Sequence, residues 1–278
     1  MPPHKMELPL YPAILAALEA GRAILEVYSS EFSVQDKEDR SPLTEADRRS
    51  HELIKKRLEG IPPVYPVLSE EGRDIPYEER EKWEFFWLVD PLDGTKEFIK
   101  RNGEFTVNIA LIRRGKPILG IIYSPACDLL YFSGEGLGAY KLSDVSKKPA
   151  NNGLDELISR SSKLPVSSDP RPFTVVGSRS HMNSETQEYF HSLEKDHGKL
   201  NIISIGSSLK LCMVAEGSAD AYPRLGPTME WDTAAGQAIL EHAGGKVTRW
   251  ESAAPLSYNK KSLLNPYFLA SLCPETQK

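Results

Sequence analysis

The chain has 278 residues, enough for one large domain or two smaller ones with substantial cores. Its residues are 40% hydrophobic and 26% charged, an ordinary globular balance, and its formal net charge is −5. This acidic balance argues against a surface built to bind a nucleic acid polymer or a membrane. A small anionic substrate remains compatible with it, because such a substrate needs only a local basic site.

The chain has three cysteines, Cys127, Cys212 and Cys273. They are too few and too scattered for a disulfide framework or a thiolate metal site, which indicates a reduced, cytoplasmic setting. We expect no signal peptide and no transmembrane segment, since no apolar run approaches the roughly 20 residues of a membrane span. The sequence leaves open a homodimer and a peripheral association with the inner membrane.

The first half of the chain predicts two helices followed by an antiparallel-looking sheet. The helices are expected over 12–29 and from Thr44 to just before Gly60, with a polar loop over 33–41 between them. The strands are expected, in chain order, at 64–69, 85–89, 105–112, 116–124, 129–133 and 138–142.

A change of composition over 143–172, to Ser, Pro, Asn and Lys with little periodicity, marks a domain junction. We therefore predict an N-terminal α+β domain over 1–145 and a C-terminal α/β domain over 146–278. The second domain alternates strands and helices, which is typical of a layered α/β architecture. Its strands are expected at 173–177, 200–205, 219–222, 246–249 and 267–272, and its helices at 184–195, 207–216 and 232–243.

The central motif follows the apolar strand 85–89, which ends at Asp90. Pro91 stiffens the next turn, and Asp93 is placed to cap a short helix that Gly94 opens. Free amides at a helix start attract an anion, while the two carboxylates can hold a hard cation such as Mg²⁺. The alternative is a plain strand–turn–helix junction, since Asp, Pro and Gly are all good turn residues.

Other carboxylates also lie at the ends of predicted elements. Asp47 falls in the first turn of the second helix, Glu70 and Glu71 follow a strand, and Asp232 starts a late helix. Each has an ordinary alternative: a surface charge favourable to the helix dipole, a solvated turn and an N-cap, respectively. Sheet-based folds, however, gather their ligands at element termini.

Four of these carboxylates would repel one another and raise one another's pKa if they converged without a cation. A cluster of divalent cations resolves that repulsion, and phosphoryl chemistry is its natural use. The four are Glu70, Asp90, Asp93 and Asp232.

Three segments, 70–71, 90–95 and 231–236, resemble the signatures of the inositol monophosphatase-like phosphatases, which are Mg²⁺-dependent and lithium-sensitive. Their order and spacing match over essentially the whole chain. Within that superfamily, the chain is similar to the 3′(2′),5′-bisphosphate nucleotidase branch over 89–99, 102–108, 206–210 and 222–224. The resemblance implies an αβαβα layered sandwich, of α+β or α/β class, and hydrolysis of adenosine 3′,5′-bisphosphate to AMP and phosphate.

The resemblance also implies two or three Mg²⁺ ions per site. Glu70, Asp90 and the main-chain carbonyl of Leu92 would bind one ion. Asp90, Asp93 and Asp232 would bind a second. Bridging ions of this kind orient and acidify water and neutralise phosphoryl oxygens.

Catalytic roles follow from the same resemblance. Thr95 and Asp47 would position and deprotonate the attacking water. Glu71 would support them or take part in a third, weaker metal site. The backbone amides of Gly94 and Thr95 would hold the reacting phosphate.

For the nucleotide, the resemblance indicates contacts from His181, Ser207, Lys210 and Arg224. Asp232 is expected to contact the substrate as well as the metal. Lys210 and Arg224 offer the positive charge that a second phosphate needs. Without the resemblance, the sequence would favour a solvated helix position for Lys210 and an ordinary loop position for His181.

Three other functions are alternatives to the hydrolysis of a nucleotide bisphosphate. Another phosphomonoesterase of the superfamily, acting on inositol phosphates or a sugar bisphosphate, would share the catalytic motifs. A haloacid-dehalogenase-like phosphatase needs its two aspartates two positions apart, whereas Asp90 and Asp93 are three apart. A non-enzymatic metal or nucleotide sensor would not need the water-activating pair.

Overall fold

The computed structural model describes residues 8–36, 42–148, 152–166, 171–177 and 183–272. Within these ranges the helices are α1 Leu10–Tyr28, α2 Glu45–Glu59, α3 Tyr77–Arg80, α4 Thr95–Ile99, α5 Leu154–Arg160, α6 Ser184–His197, α7 Leu209–Ala215 and α8 Glu230–His242. The strands are β1 Val34–Asp36, β2 Pro42–Thr44, β3 Val67–Ser69, β4 Phe85–Asp93, β5 Thr106–Arg113, β6 Lys116–Ser124, β7 Leu129–Gly134, β8 Gly138–Ser143, β9 Ser162–Lys163, β10 Thr174–Gly177, β11 Asn201–Ser204, β12 Ala221–Arg224, β13 Lys246–Arg249 and β14 Phe268–Ser271.

The elements form five layers, helix–sheet–helix–sheet–helix, which confirms the αβαβα expectation. A seven-stranded sheet runs β3-β4-β5-β6-β7-β8-β9 and is antiparallel except for the β3–β4 pair. Helices α1 and α2 cover one of its faces. Helices α7 and α8 separate its other face from a mixed five-stranded sheet, ordered β11-β10-β12-β14-β13, and α6 packs on the far side of that sheet.

The apolar run that opens β4 contributes side chains to the hydrophobic cores on both faces of the large sheet. Successive strand side chains point to opposite faces. Trp87 therefore packs with α1 and α2, whereas Phe86 and Leu88 pack toward α7 and α8. A strand buried on both faces needs a nearly continuous apolar sequence, which the five residues before Asp90 provide.

Two stretches expected to be irregular contain short elements. Part of the loop predicted over 33–41 is strand β1, which pairs antiparallel with β2, while 37–41 lies outside the described residues. The predicted junction over 143–172 contains α5 and β9, and β9 is the last strand of the large sheet. Elements of two to seven residues are too short for their periodicity to be recognised. The boundary between 145 and 146 stays a prediction, although the large sheet draws a strand from beyond it.

The helix starts next to Asp93 and Asp232 differ from expectation. Gly94, not Asp93, occupies the N-cap position of α4, and its φ is +94°. A Cβ there would lie 2.9 Å from the carbonyl oxygen of Glu104, so both conformation and space require glycine. Helix α8 begins two residues before Asp232, and the Asp232 carboxylate accepts a hydrogen bond of 2.9 Å from the Met229 N–H.

Among the described helices, none is long and apolar enough to cross a membrane. The cytoplasmic location stays a prediction, and a homodimer stays open.

Candidate active site

A β-bulge at the end of β4 sets the spacing of the central carboxylates. Asp90 pairs with Asn108 and Asp93 pairs with Thr106, so two residues of β4 oppose one residue of β5. One of those two is a proline, which a bulge tolerates because the ladder hydrogen bonds are interrupted there. The second is Leu92, whose N–H donates to the Asp90 carboxylate at 3.1 Å. The bulge thus breaks the regular alternation of the strand where the two aspartates meet the cleft.

Three carboxylates from different elements converge here. Glu70, Asp90 and Asp232 each offer an oxygen, and these oxygens lie within 4.8 Å of one another. Glu70 reaches the group because β3 runs parallel beside β4, and its N–H donates to Val89 O at 3.1 Å. Asp232 comes from the first turn of α8, in the middle helical layer. An all-oxygen donor set of this kind fits a hard divalent cation.

The charges in this group are unfavourable as they stand. Burial raises the pKa of Asp90 well above its usual value, and Glu70, Asp93 and Asp232 raise it further by repulsion. Burial, followed by the charge of Asp93, raises the pKa of Asp232 to about 8. A bound divalent cation would compensate for both effects, so the residues present fit the metal that this arrangement implies.

A pH dependence of stability follows from these pKa values. An acid whose folded pKa is raised binds a proton more tightly in the folded state, so the metal-free protein should lose stability as the pH rises from 3.8 to about 8. Mg²⁺ binds the carboxylate forms, so it should raise the melting temperature more at the alkaline end of this window than at the acid end. Thermal denaturation with and without Mg²⁺ measures this, and Asp232→Asn should weaken both trends. An equal Mg²⁺ effect across the window would contradict the assignment.

Asp47 is buried, not a surface charge. One of its carboxylate oxygens accepts hydrogen bonds from the N–H and the hydroxyl of Thr44, at 2.8 and 2.6 Å, which closes the start of α2. The other oxygen lies 3.2 Å from the hydroxyl of Thr95, which is also 3.3 Å from the carbonyl oxygen of Leu92. The structure thus joins Thr95 and Asp47 at the edge of the carboxylate group.

Two further predicted residues have less direct positions. Glu71 is partly exposed in the turn after β3, next to Glu70. Asp93 lies outside the three-carboxylate group, and its carboxylate accepts a 2.6 Å hydrogen bond from Ser208.

Ser208 and Asn108 orient Asp93, although the sequence indicated no role for either residue. The Ser208 hydroxyl donates to Asp93 and accepts a hydrogen bond of 2.8 Å from the Asn108 side chain. It also lies 2.9 Å from the main-chain oxygen of Asp232. One feature of the sequence could have indicated a role for Asn108: it is a polar residue inside the apolar run of β5. In the structure it lies opposite Asp90.

Ser50 and His51 on α2 were missed as well. The Ser50 hydroxyl donates to the carbonyl oxygen of Pro91 at 2.7 Å, inside the bulge. His51 Nδ1 lies 2.9 Å from the hydroxyl of Ser69, the residue before Glu70. Together with Asp47, these residues share one helix face at the i, i+3 and i+4 spacing, which was visible in the sequence.

The start of α8 is fixed by a fully buried Glu230. Its carboxylate accepts hydrogen bonds from the Asn259 N–H at 2.6 Å and from Lys260 Nζ at 2.6 Å. Because Asp232 is only two residues further on, this contact restrains where its carboxylate lies.

A cleft opens beside the carboxylate group, between α4, the 205–208 turn and β12. Among its lining residues are the predicted substrate contacts Gly94, Ser207, Lys210, Arg224 and Asp232. His181 lies outside the described residues.

Within the described part of the chain, three cationic side chains line the cleft, the exposed Lys96 and the two predicted contacts Lys210 and Arg224, which have different surroundings. Lys210 is 8% exposed, burial lowers its pKa to about 8, and its Nζ donates to two main-chain carbonyls. Arg224 donates to the carbonyl oxygen of Pro227 at 2.7 Å, while its buried Nε has no hydrogen-bond partner among the described residues.

The layered fold and the carboxylate group agree with the protein family that the sequence of this chain matches. The chain belongs to the inositol monophosphatase family, which it matches over residues 7–277. This confirms the family expected from the motifs.

Its similar proteins include named nucleotidases. The 3′(2′),5′-bisphosphate nucleotidase CysQ of Shigella flexneri is 48% identical over 260 residues, which cover 92% of this chain and 96% of that protein. The CysQ of Escherichia coli K12 is 47% identical with the same coverage. The crystal structure of CysQ from Bacteroides thetaiotaomicron superposes with a TM-score of 0.86 at 48% identity, covering 94% of this chain and 96% of that one. The expected resemblance to the nucleotidase branch is thereby confirmed.

Proposed function

We propose that this chain is a divalent-metal-dependent 3′(2′),5′-bisphosphate nucleotidase that hydrolyses adenosine 3′,5′-bisphosphate to AMP and phosphate. The observation that carries the proposal is the group of three carboxylates, Glu70, Asp90 and Asp232, beside the Thr95–Asp47 pair. Relatives at 47–48% identity bear the nucleotidase name. We further propose Mg²⁺ as the cation, because the donors are all oxygen.

The metal would be held by the three carboxylates of this group, together with Asp93 and the carbonyl oxygen of Leu92. When bound, the cation supplies charge that neutralises phosphoryl oxygens and lowers the pKa of water. The contact of Thr95 with Leu92 places its hydroxyl next to this group of donors.

Thr95 and Asp47 form the proton path in the proposed mechanism. Water gives a proton to Thr95 Oγ1 as the Thr95 hydroxyl proton passes to the Asp47 oxygen that lies 3.2 Å away. Thr44 donates twice to the other Asp47 oxygen, which fixes the carboxylate in the orientation that accepts this proton. The Gly94 and Thr95 amides would hold the phosphate under attack.

A substrate panel tests the proposal. Phosphate release in the presence of Mg²⁺ should be fastest with adenosine 3′,5′-bisphosphate, when compared with its 2′,5′ isomer, inositol 1-phosphate and fructose 1,6-bisphosphate. Preference for inositol 1-phosphate or the sugar bisphosphate would instead identify another phosphomonoesterase of the family. Metal and nucleotide binding without any turnover would identify a sensor.

Arg224→Ala should weaken cleavage of the bisphosphate by about 2–4 kcal/mol in kcat/KM, the range for losing one partner of a desolvated charge pair. The guanidinium is proposed to bind the phosphate that stays on the nucleotide. Adenosine 3′-monophosphate lacks that group, so its cleavage should change much less in the same buffer.

The matched control for this variant is Arg249→Ala. Arg249 ends β13 and its guanidinium donates to Ser257, outside the cleft. It should leave the ratio of the two substrates unchanged. Equal losses on both substrates in Arg224→Ala would show that Arg224 supports the fold rather than the second phosphate.

A further inference from the structure

Ser207 lines the cleft in an uncommon backbone conformation. Its φ is +51°, in the left-handed region that residues with a side chain rarely adopt. Such a conformation costs free energy, so it persists only where surrounding contacts hold it, and it is concentrated at ligand sites. The contacts that hold Ser207 therefore bear on how the cleft receives its substrate.

Lys210 provides the strongest of these contacts. It lies in the first turn of α7, and its side chain folds back so that Nζ donates to Ser207 O at 2.6 Å and to Ile205 O at 3.3 Å. An ammonium has three N–H donors, and two of these are directed to the backbone of the turn. The charge of Lys210 is thus buried against carbonyls on both sides of Gly206.

Glu104 holds the same turn from the other side. Its carboxylate accepts a hydrogen bond of 2.8 Å from the Gly206 N–H. A Cβ on Gly206 would lie 2.7 Å from Glu97 Cγ and 2.9 Å from Glu104 O, so the turn packs directly on the segment that begins with α4. The turn is therefore clamped between a cation and an anion that both bind its main chain.

The next residue of the turn, Ser208, contacts Asp93, which is a proposed metal ligand. Ser208 is 4% exposed, and its hydroxyl donates to Asp93 at 2.6 Å. A displacement of the turn would therefore disturb Asp93 as well as the wall of the cleft.

We propose that Lys210 is a positioning residue that holds Ser207 in its left-handed conformation within the 205–208 turn, while Arg224, and not Lys210, binds the retained phosphate. Lys210 then supports the cleft through its hydrogen bonds to the main chain of the turn. It supports Asp93 indirectly, because Ser208 in the same turn donates to that carboxylate. This inference rests on the proposed function, because it divides the roles of the two cations between the turn and the second phosphate of a bisphosphate substrate.

The first test compares Lys210→Met on two substrates, adenosine 3′,5′-bisphosphate and adenosine 3′-monophosphate. Methionine preserves most of the side-chain length and removes the charge. A displaced turn should lower kcat/KM by roughly tenfold or more on both substrates alike. A loss confined to the bisphosphate, as expected for Arg224→Ala, would overturn the proposal and make Lys210 a phosphate contact.

The second test is rescue by glycine, which adopts positive φ without a steric penalty. Ser207→Gly added to Lys210→Met should restore most of the lost kcat/KM, when the double variant is compared with Ser207→Gly alone. Ser207→Ala removes the same hydroxyl but keeps Cβ, so it should not rescue. Equal behaviour of the glycine and alanine backgrounds would overturn the left-handed turn as the reason for the loss.

If Lys210→Met does not fold, Glu104→Ala probes the same turn from its other side. It removes the acceptor of the Gly206 N–H and should give the same parallel loss and the same rescue by Ser207→Gly. A loss without rescue would again contradict the proposal. Should the wild-type chain cleave only monophosphates, the proposed function fails, and the Ser207 rescue is still measured on the monophosphate.

Discussion

Asp90→Asn should abolish turnover while leaving the fold intact. Asp90 is central to the carboxylate group, and an amide oxygen carries no charge to balance a divalent cation. Losing such an interaction should cost several kcal/mol of transition-state stabilisation, roughly a thousandfold or more in kcat. Phosphate release at saturating Mg²⁺ measures the effect, and near-normal turnover would remove Asp90 from the site.

Stability measurements separate this loss from misfolding. The buried Asp90 carboxyl is repelled by three neighbouring carboxylates, so the metal-free Asp90→Asn protein should melt no lower than the wild type. The same protein should gain less stability from Mg²⁺, because one ligand charge is missing. Asp155→Asn, on the exposed side of α5, is the matched control and should change neither activity nor the Mg²⁺ response.

Thr95→Ala should lower kcat by about a hundredfold or more, with little change in KM, since proton transfer by a positioned group contributes about 10²–10⁴-fold. The hydroxyl is proposed to act on water mainly in the transition state, whereas the backbone N–H that holds phosphate is retained. Steady-state kinetics at several Mg²⁺ concentrations measure both constants. Thr95→Ser keeps the hydroxyl and should retain most of the rate.

The partner of Thr95 offers a second check. Because Thr95 and Asp47 are joined by one contact in the proposed proton path, the double variant Thr95→Ala/Asp47→Asn should be hardly slower than the slower single variant. Fully additive losses would mean that the two residues act independently. A Thr95→Ala enzyme with a raised KM and a normal kcat would make Thr95 a binding residue only.

The carboxylates proposed to bind metal could be predicted from the sequence, because each lies at the end of a predicted helix or strand. An apolar run stops at Asp90 and a short strand stops before Glu70, so strand periodicity alone locates both. Their meeting depends on the parallel pairing of β3 with β4, which local sequence does not encode. The family resemblance supplied that link, and the layered fold agrees with it.

The supporting contacts were harder to predict, because they join residues far apart in the chain. The sequence places Asp47 in the first turn of α2, but its burial depends on α2 packing against the bulge in β4. In the same way, helical spacing places Lys210 on α7 without indicating that its side chain turns back to the 205–208 backbone. The burial of Asp47 and the orientation of the Lys210 side chain both depend on tertiary packing, which helix propensity and periodicity do not predict.

The middle helical layer has a consequence for how the site assembles. Its two helices bury apolar side chains against both sheets within one continuous core, so unfolding either sheet would expose a face of α7 or α8 to water. Asp232 and Lys210 both belong to this layer, so the carboxylate group and the cleft proposed to bind the nucleotide depend on the same packing. We therefore expect a chain with one sheet unfolded to lack both the proposed metal-binding group and the proposed nucleotide cleft.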